Sequence, residues 1–257
     1  MELFTQRRAG ILLHPTSLPG SAGNGDLGPE AYRFVDFIAE CGLSLWQTLP
    51  LGPPHEDLSP YQCLSVHAGN FRLVSLQLLV ELGWLDDAVL DESGDLDAQR
   101  KVRLTAAYNG FQRKAGDNER ESFVIFKKEH ARWLNDFSLY QAVHTGQGGK
   151  AWYEWPEPLR DRDADALDGE RKRLAAQLEQ VRFEQFLFYR QWKQLRRYAN
   201  DRGVLLFGDI PIFVAHDSAD VWAHREWFSV DDAGRLEVVA GVPPDYFSAT
   251  GQLWGNP

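Results

Sequence analysis

The run VLLFGDIPIFV, Val204–Val214, constrains the fold more than any other stretch of the chain. It is apolar along most of its length, which is typical of a strand covered on both faces, as in a parallel sheet. Two shorter runs, Ala9–Leu13 and Leu43–Leu49, have the same character. Between those two, a helix is predicted over Pro29–Cys41, with proline at its first position and Gly42 beyond its end. The alternation of strands and helix predicts a parallel α/β architecture.

The middle of the chain, residues 76–200, has a different periodicity. Apolar side chains recur there at the spacing of helices, with Arg, Lys and Glu between them. This pattern predicts an all-helical insertion between the second and third strands. The residues outside it suffice for about three or four strand–helix pairs of roughly 30 residues each, fewer than the eight pairs of a (β/α)8 barrel.

We therefore predict an α/β fold in the form of an incomplete (β/α)8 TIM barrel, of which only the first strands are present. Residues 1–75 would hold strands 1 and 2 with their loops, residues 76–200 the helical insertion, and residues 201–257 strand 3 and an aromatic loop. We expect the chain to end before the barrel closes.

The composition disfavours several classes of partner. The net charge of −10 argues against nucleic acid, because binding phosphates requires concentrated Lys and Arg. The two cysteines, Cys41 and Cys63, do not form a metal-type pair and indicate a reducing compartment, so we expect a cytoplasmic protein. The apolar run near the N-terminus is too short for a signal peptide or a membrane span, and no membrane association is expected.

Several types of site have no support in the sequence. The seven histidines include no HExxH motif, so we expect no metal site, and no cofactor motif is present. A GxSxG elbow of serine hydrolases is also absent. The glycines of Gly20–Gly28 have neither the Walker lysine nor the GxGxxG order, which leaves a phosphate cradle there as a weak second interpretation.

Asp209 is the strongest single candidate for a site residue. It follows the apolar start of the third strand, and carboxylates at the C-terminal ends of parallel strands lie on the face where barrel enzymes build their sites. A helix cap is the competing interpretation, but Pro211 and the renewed apolar run leave no helix start there. His216 is equally compatible with a site wall and with loop packing. Three neighbouring polar residues are instead predicted to cap a helix: Asp217, Ser218 and Asp220.

Aromatic residues are the second signal. The chain has 9 Trp, 8 Tyr and 15 Phe, and the number of Trp exceeds what a core of this size needs. Tyr246, Phe247 and Trp254 lie in a loop too rich in Gly and Pro to be core, which argues for ligand contact, with packing of the loop on itself as the alternative. The SPYQ tetrapeptide, Ser59–Gln62, follows the second strand, where a Tyr could reach a ligand. Sugar rings stack on such flat faces.

Seven motifs together resemble a known family. They are GILLHPTSLPG, GDLGPEAYRFVDF, WQTLPLGP, SPYQ, HAGN, GDIPIFVAHDSADVWAH and GVPPDYFSATGQLWGNP, in this order along the chain. The chain resembles the amylomaltases, which are 4-α-glucanotransferases of the α-amylase clan. The resemblance implies a (β/α)8 barrel that cuts an α-1,4-glucan, holds the glucosyl piece covalently and passes it to another glucan. The family's nucleophile motif, RIDHFRG, does not occur in these 257 residues.

The resemblance also implies roles for individual residues. Asp209 would be a substrate-binding carboxylate rather than the nucleophile, Tyr61 would stack on the same sugar, and Ser59 would lie beside it. The aromatic loop would cover the cleft and exclude water, so that a glucan accepts the glucosyl group. The residues implied to contact glucan in that loop are Asp245, Tyr246, Phe247, Trp254 and Asn256. Where many relatives have Tyr-Gly-Asp before SPYQ, this chain has Glu56, Asp57 and Leu58, which argues against a secondary glucan site that uses that Tyr.

Three hypotheses follow. In the leading one, the parent protein is a 4-α-glucanotransferase that acts on maltooligosaccharides with glucose as an acceptor, and these residues alone are inactive. The alternative is a non-catalytic α-glucan-binding module that uses the aromatic loop. The least favoured hypothesis is a phosphate- or nucleotide-binding α/β enzyme with its site at Gly20–Gly28.

Overall fold

The computed structural model describes residues 7–20, 24–91 and 93–257. The chain divides into two compact units. The first comprises Met1–Leu51, Gly69–Phe126 and Phe183–Asp209, and the second comprises Gly52–Ala68, Lys127–Arg182 and Ile210–Pro257. The segments predicted from the strand order, 1–75, 76–200 and 201–257, each contribute residues to both units.

A parallel sheet of three strands lies in the first unit. Its strands are β1 (Gly10–Leu12), β2 (Leu45–Gln47) and β3 (Leu205–Phe207), in the order β1-β2-β3. Ile11 pairs with Trp46 and Trp46 with Leu206, so the three predicted apolar runs are neighbours, and the parallel α/β prediction is confirmed. Gly10 allows the close approach of β1 and β2, because a Cβ there would lie 2.3 Å from the carbonyl oxygen of Leu45.

The strands are shorter than predicted. β3 covers only the first part of Val204–Val214, since Gly208 follows its last residue and Pro211 has no N–H to give to a neighbouring strand. Beyond it, Ile210 is 78% exposed and Ile212 is 90% exposed, so the second apolar half of this run does not pack as core.

Helices account for most of the remaining regular structure. α1 (Pro29–Glu40) buries Ala31, Val35 and Ile38 and ends before Gly42, whose φ of 72° suits glycine. Between β2 and β3, the described residues form seven α-helices: α2 (Leu76–Glu81), α3 (Leu96–Lys114), α4 (Asp117–Glu129), α5 (Ala131–Gly146), α6 (Glu157–Arg160), α7 (Ala164–Arg173) and α8 (Ala175–Asp201). After β3 come α9 (Ala219–Ala223) and two short strands, β4 (Gly241–Val242) and β5 (Gln252–Leu253).

Two glutamines of α8 bind extended backbone in the first unit. Gln185 accepts from the Gly69 N–H at 2.8 Å and donates to its carbonyl at 2.9 Å. Gln191 does the same with Ser75, at 2.8 and 3.0 Å. Both glutamines are almost fully buried. Each side-chain amide therefore replaces the backbone partner that Gly69 and Ser75 would have in a sheet.

The second unit is built on an aromatic core. Trp152, Trp222 and Tyr140 are completely buried, and Trp155 is nearly so. Their polar atoms have partners: the indole of Trp152 donates to the His216 carbonyl at 2.7 Å, and that of Trp222 to the Leu159 carbonyl at 3.0 Å. Many of the aromatic residues noted in the sequence are therefore core, as expected for most tryptophans.

No helix formed by the described residues is long and apolar enough to cross a membrane. The same residues include no group of three or more His, Cys, Asp or Glu side chains arranged to hold a metal ion. Neither Cys41 nor Cys63 forms a disulfide; the first is exposed and the second is buried.

Candidate functional site

The SPYQ tetrapeptide forms a turn in the second unit. The Gln62 N–H donates to the Ser59 carbonyl at 3.2 Å, and the Ser59 N–H donates to Oδ1 of Asp57 at 3.0 Å. The turn leaves Tyr61 45% exposed. Nearly half of Tyr61 is therefore accessible to solvent.

The aromatic loop is the connection of a short antiparallel ribbon. β4 pairs with β5, with Gly241 opposite Leu253 and Val242 opposite Gln252. Two side chains of this loop are almost entirely in solvent: Tyr246 is 97% exposed and Phe247 is 87% exposed. These two rings contact each other, with centroids 5.7 Å apart, and neither is part of a core.

Asp245 organises the loop. Its Oδ1 accepts hydrogen bonds from the N–H groups of Phe247 at 2.9 Å and Ser248 at 2.8 Å. This is the pattern by which Asp stabilises a turn with its own backbone. Asp245 was predicted to bind sugar hydroxyls, and the structure shows that one of its oxygens is engaged by the loop backbone at Phe247 and Ser248.

Asn256 joins the aromatic loop to the SPYQ turn. It is 3% exposed, and its side chain exchanges two hydrogen bonds of 3.3 Å with the amide of Gln62. Its Nδ2 also donates to the Val214 carbonyl at 2.7 Å, and its own carbonyl accepts from the Ala240 N–H at 2.9 Å. The structure thus places Asn256 beneath the surface, where it fixes the base of the ribbon.

Trp254 lies on the surface beside this amide pair. It is 42% exposed, its carbonyl accepts from Nε2 of Gln62 at 3.4 Å, and its indole donates to Gln252 at 3.0 Å. Its ring centroid is 6.2 Å from that of Phe213. Phe213 is not among the predicted site residues, because it belongs to a run that was predicted to be a strand. Its position among exposed apolar neighbours after Pro211 is the signal that could have identified it.

Asp209 lies two residues beyond β3, at the end of the first unit, and is partly exposed. Its place after a parallel strand agrees with the sequence prediction. The other predicted site residues belong to the second unit: Ser59, Tyr61, Asp245, Tyr246, Phe247, Trp254 and Asn256.

Only one of the three residues predicted to cap a helix does so. Ser218 is the N-cap of α9, with its hydroxyl accepting from the Val221 N–H at 3.2 Å, as predicted. Asp220 lies in the first turn of that helix and accepts from the Val66 N–H at 3.0 Å. Neither Asp217 nor Asp220 caps α9, so the prediction was wrong for both residues. His216 packs in the loop, with its ring stacked on Tyr153 at 4.2 Å.

The carboxylate of Asp217 instead interacts with three groups inside the second unit. The Tyr140 hydroxyl donates at 2.7 Å and the Trp152 N–H at 3.0 Å, while Nε2 of His144 lies 3.5 Å away. Burial raises the pKa of Asp217, but hydrogen bonds from His144, Tyr140 and Trp152 outweigh burial and hold that pKa below its usual value. The group is a structural anchor of the aromatic core.

The described part of the glycine-rich stretch, Gly20 and residues 24–28, offers no support for a phosphate cradle. Ser21, Ala22 and Gly23 lie outside the described residues. At the start of α1, the Gly28 N–H donates to Oδ1 of Asp26 at 2.8 Å. A carboxylate therefore already uses a backbone donor that a phosphate would need, and its charge would repel one.

Comparison with known proteins gives consistent matches. A family model described as 4-alpha-glucanotransferase matches residues 13–257. The 4-alpha-glucanotransferase of Thermus thermophilus is 48% identical over 257 residues, which cover 98% of this chain and 51% of that protein. The chloroplastic/amyloplastic 4-alpha-glucanotransferase of Solanum tuberosum is 40% identical, with 98% of this chain and 46% of that protein covered. The chain thus spans about half the length of the curated relatives it matches.

Solved structures agree with these matches. The amylomaltase from Streptococcus agalactiae, in complex with acarbose, superposes with a TM-score of 0.92 at 38% identity, over 98% of this chain and 53% of that one. The amylomaltase from Corynebacterium glutamicum gives a TM-score of 0.66 at 20% identity, over 97% and 36%, and supports the fold alone. Because the family model and the relatives cover nearly all of its residues, this chain belongs to the 4-alpha-glucanotransferase family of glycosyltransferases.

Proposed function

We propose that this chain forms the glucan-binding part of a 4-α-glucanotransferase. The enzyme would transfer segments of an α-1,4-glucan to the 4-hydroxyl of another maltooligosaccharide or of glucose. One observation carries the proposal beyond family membership: two exposed aromatic rings, Tyr246 and Phe247, sit on a ribbon whose base is hydrogen-bonded to the turn that exposes Tyr61. Aromatic faces of this kind suit the C–H faces of glucosyl rings.

The proposed reaction retains the configuration of the sugar. A carboxylate nucleophile attacks the anomeric carbon while a general acid protonates the departing glycosidic oxygen, which leaves a covalent glucosyl–enzyme. The 4-hydroxyl oxygen of the acceptor then attacks the same carbon, the bond from that carbon to the nucleophilic carboxylate breaks, and the second carboxylate takes the proton of the hydroxyl. In retaining enzymes these two groups are about 5–5.5 Å apart. By resemblance the nucleophile belongs to RIDHFRG, a sequence that these 257 residues do not contain.

The residues of this chain would bind and shield the glucan. We assign Asp209 and Ser59 to hydrogen bonds with sugar hydroxyls and Tyr61 to stacking on a sugar ring. Trp254, Tyr246 and Phe247 would cover the bound glucan and lower the access of water, which favours transfer over hydrolysis. Asp245 and Asn256 act chiefly on the loop itself, since their contacts fix its turn and its base.

The proposal includes the architecture and the compartment. We propose that β1, β2 and β3 are the first three strands of a (β/α)8 barrel, that residues 76–200 are a helical insertion, and that residues 201–257 return to the barrel. The parallel order β1-β2-β3 supports this arrangement. The free thiols of Cys41 and Cys63 support a reducing compartment such as the cytoplasm.

Calorimetric titration with maltohexaose tests the role of the loop. We expect saturable binding that is at least about tenfold weaker, or about 1.4 kcal/mol, in the double variant Tyr246→Ala, Phe247→Ala. Phe37→Ala is the matched control, because Phe37 is 51% exposed on α1, outside the loop, and its removal should leave the affinity unchanged. Equal affinities in the double variant and the parent chain would refute the assignment.

A further inference from the structure

A cavity in the second unit is lined by residues that do not belong to the aromatic loop. It is a cavity of about 210 Å³ between α5, α9, the turn after α9 and the segment that begins at Ser65. This volume corresponds to roughly seven water molecules. Drug-sized ligands occupy about 300–1,000 Å³, so the cavity suits one small ring-sized ligand.

Two tryptophans, together with Phe137, Ala219 and Ala223, form the apolar part of its wall. Trp227 is 61% exposed although it lines the cavity, and its ring is stacked parallel to that of His224, with centroids 4.1 Å apart and planes 9° apart. Trp133, on α5, packs against His130 and His67. These contacts restrict the rotation of both indoles, which reduces the entropy that binding would cost.

Two carboxylates add hydrogen-bond acceptors. Oδ1 of Asp136 accepts from Arg162 at 2.6 Å, and Oδ2 of Asp220 accepts from the Val66 N–H at 3.0 Å. Among the described residues, no hydrogen bond reaches the second oxygen of either carboxylate. A ligand with hydroxyl groups can therefore donate to oxygens that the protein already holds in place.

The charges around the cavity favour an uncharged ligand. The negative charge of Asp136 is paired with Arg162, and Arg132 lies on the same wall as Asp136. The carboxylates disfavour an anion, and the guanidinium groups offset the attraction that they would exert on a cation. A neutral polyhydroxylated ring meets both the stacking surfaces and the acceptors.

We propose that this cavity is a second sugar site, which binds a single glucosyl unit between Trp227 and Trp133. The identity of the sugar rests on the proposed function, whereas the preference for a neutral sugar rests on the cavity itself. Because Ser65 and Val66 lie a few residues beyond Tyr61, the site would tether a glucan through the same segment that carries the SPYQ turn.

Fluorine NMR of the 257-residue chain labelled with 5-fluorotryptophan tests the proposal. Trp→Phe variants assign the signals of Trp227, Trp133 and Trp254. We expect maltose to shift the signals of Trp227 and Trp133 saturably. Ala223→Leu fills the cavity and should weaken that response at least about tenfold while the response of Trp254 to maltohexaose persists. Trp227→Ala removes an exposed ring and should weaken the response of Trp133 similarly.

Each outcome separates the two proposals. No response of Trp227 and Trp133 to maltose, with a normal response of Trp254 to maltohexaose, overturns the second site and leaves the proposed function intact. The reverse result supports the second site and counts against the role of the loop. A response to tetramethylammonium that exceeds the response to maltose, or one unchanged by both Ala223→Leu and Trp227→Ala, also overturns the proposal.

Discussion

Leu58 has an unfavourable backbone conformation for its residue type. Its φ is 58°, in the left-handed region, and its side chain is 61% exposed, so no burial offsets the strain. Asn tolerates this region far better than Leu, whose cost there is roughly 1–2 kcal/mol. We expect Leu58→Asn to raise the free energy of unfolding by about 0.5–1 kcal/mol in urea denaturation.

Val238→Asn provides the comparison for this prediction. Val238 is 63% exposed, and its φ is not among the positive values found for the described residues. The same change of side chain there relieves no strain and should give no gain in stability. If Leu58→Asn is no more stable than the parent chain, or if both variants gain equally, the backbone argument is wrong.

The ionisation of Asp217 makes the stability of the second unit depend on pH. Its pKa is held below the usual value in the folded state, so its contribution to stability is fully present above the unfolded pKa of about 3.9 and is lost as the pH falls through the folded pKa. We expect Asp217→Asn to lower the free energy of unfolding by about 1–3 kcal/mol at pH 7, because the hydrogen bonds from Tyr140 and Trp152 lose their charged acceptor.

The pH dependence of the stability shows whether the charge of Asp217, rather than the shape of its side chain, is responsible for the loss. Urea denaturation from pH 7 to pH 3 should show the difference between Asp217→Asn and the parent chain shrinking below about pH 4. Asp95→Asn is the control, since Asp95 caps α3 and Asn is an equally good N-cap. A difference that stays constant down to pH 3 would contradict the assigned charge.

Residue roles were the least predictable part of the chain. The sequence correctly placed Ser218 at a helix start, because an N-cap depends on its immediate neighbours. It assigned Asp217 to the same role, whereas the actual partners, Tyr140 and Trp152, are 77 and 65 residues away along the chain. Such partners depend on tertiary packing, which local pattern does not encode.

At the scale of elements, the position of strands and helices followed from the sequence more closely than their extent. α1 was predicted over Pro29–Cys41 and is observed over Pro29–Glu40, because its proline start and glycine end act locally. β3 was overestimated, because an apolar run does not reveal where the neighbouring strand stops pairing.

The hydrogen bonds from Gln191 of α8 to the backbone of Ser75 should contribute to stability. Gln191 is 2% exposed, and its side-chain amide is hydrogen-bonded to both the N–H and the carbonyl of Ser75. We expect Gln191→Leu to lower the free energy of unfolding by about 1–3 kcal/mol in urea denaturation, because a buried N–H and a buried carbonyl would lose their partner. Hydrogen exchange at the Ser75 amide should also accelerate.

Gln194 supplies the matched control on the same helix. It is exposed, and Gln194→Leu removes the same amide without leaving buried backbone groups unpaired. This change should stay within about 0.5 kcal/mol of the parent chain. If both variants lose a similar free energy of unfolding, the loss comes from placing Leu on this helix and not from removing the hydrogen bonds between Gln191 and Ser75.

At the scale of the whole molecule, the family and the parallel α/β character could be recognised from motifs and apolar runs. The two compact units could not, because each is assembled from three separate stretches of chain. The site shows the same contrast. The exposed rings of Tyr246 and Phe247 follow from a Gly- and Pro-rich loop that cannot be core, but the buried link between Asn256 and Gln62, 194 residues apart, depends on the fold.

Glucan binding and glucan transfer require different residues, and we expect these 257 residues to perform only the binding. Retaining transfer requires a nucleophilic carboxylate and a second carboxyl group about 5–5.5 Å from it. Asp245 is engaged by the backbone of its own loop, and the resemblance assigns Asp209 to substrate binding, so neither is expected to act as the nucleophile. We therefore expect this chain to bind maltohexaose saturably and to release no glucose from maltotriose.

A coupled glucose assay at saturating maltotriose checks this expectation, with the Thermus thermophilus 4-alpha-glucanotransferase as the positive control. Binding raises the stability of a folded protein by about 2.7 kcal/mol at a ligand concentration of 100 Kd, so a rise in Tm with maltohexaose would show that the silent chain is folded and occupied. Glucose release that is abolished by Asp209→Asn would contradict the prediction, because it would place the nucleophile within this chain and make Asp209 a candidate for it.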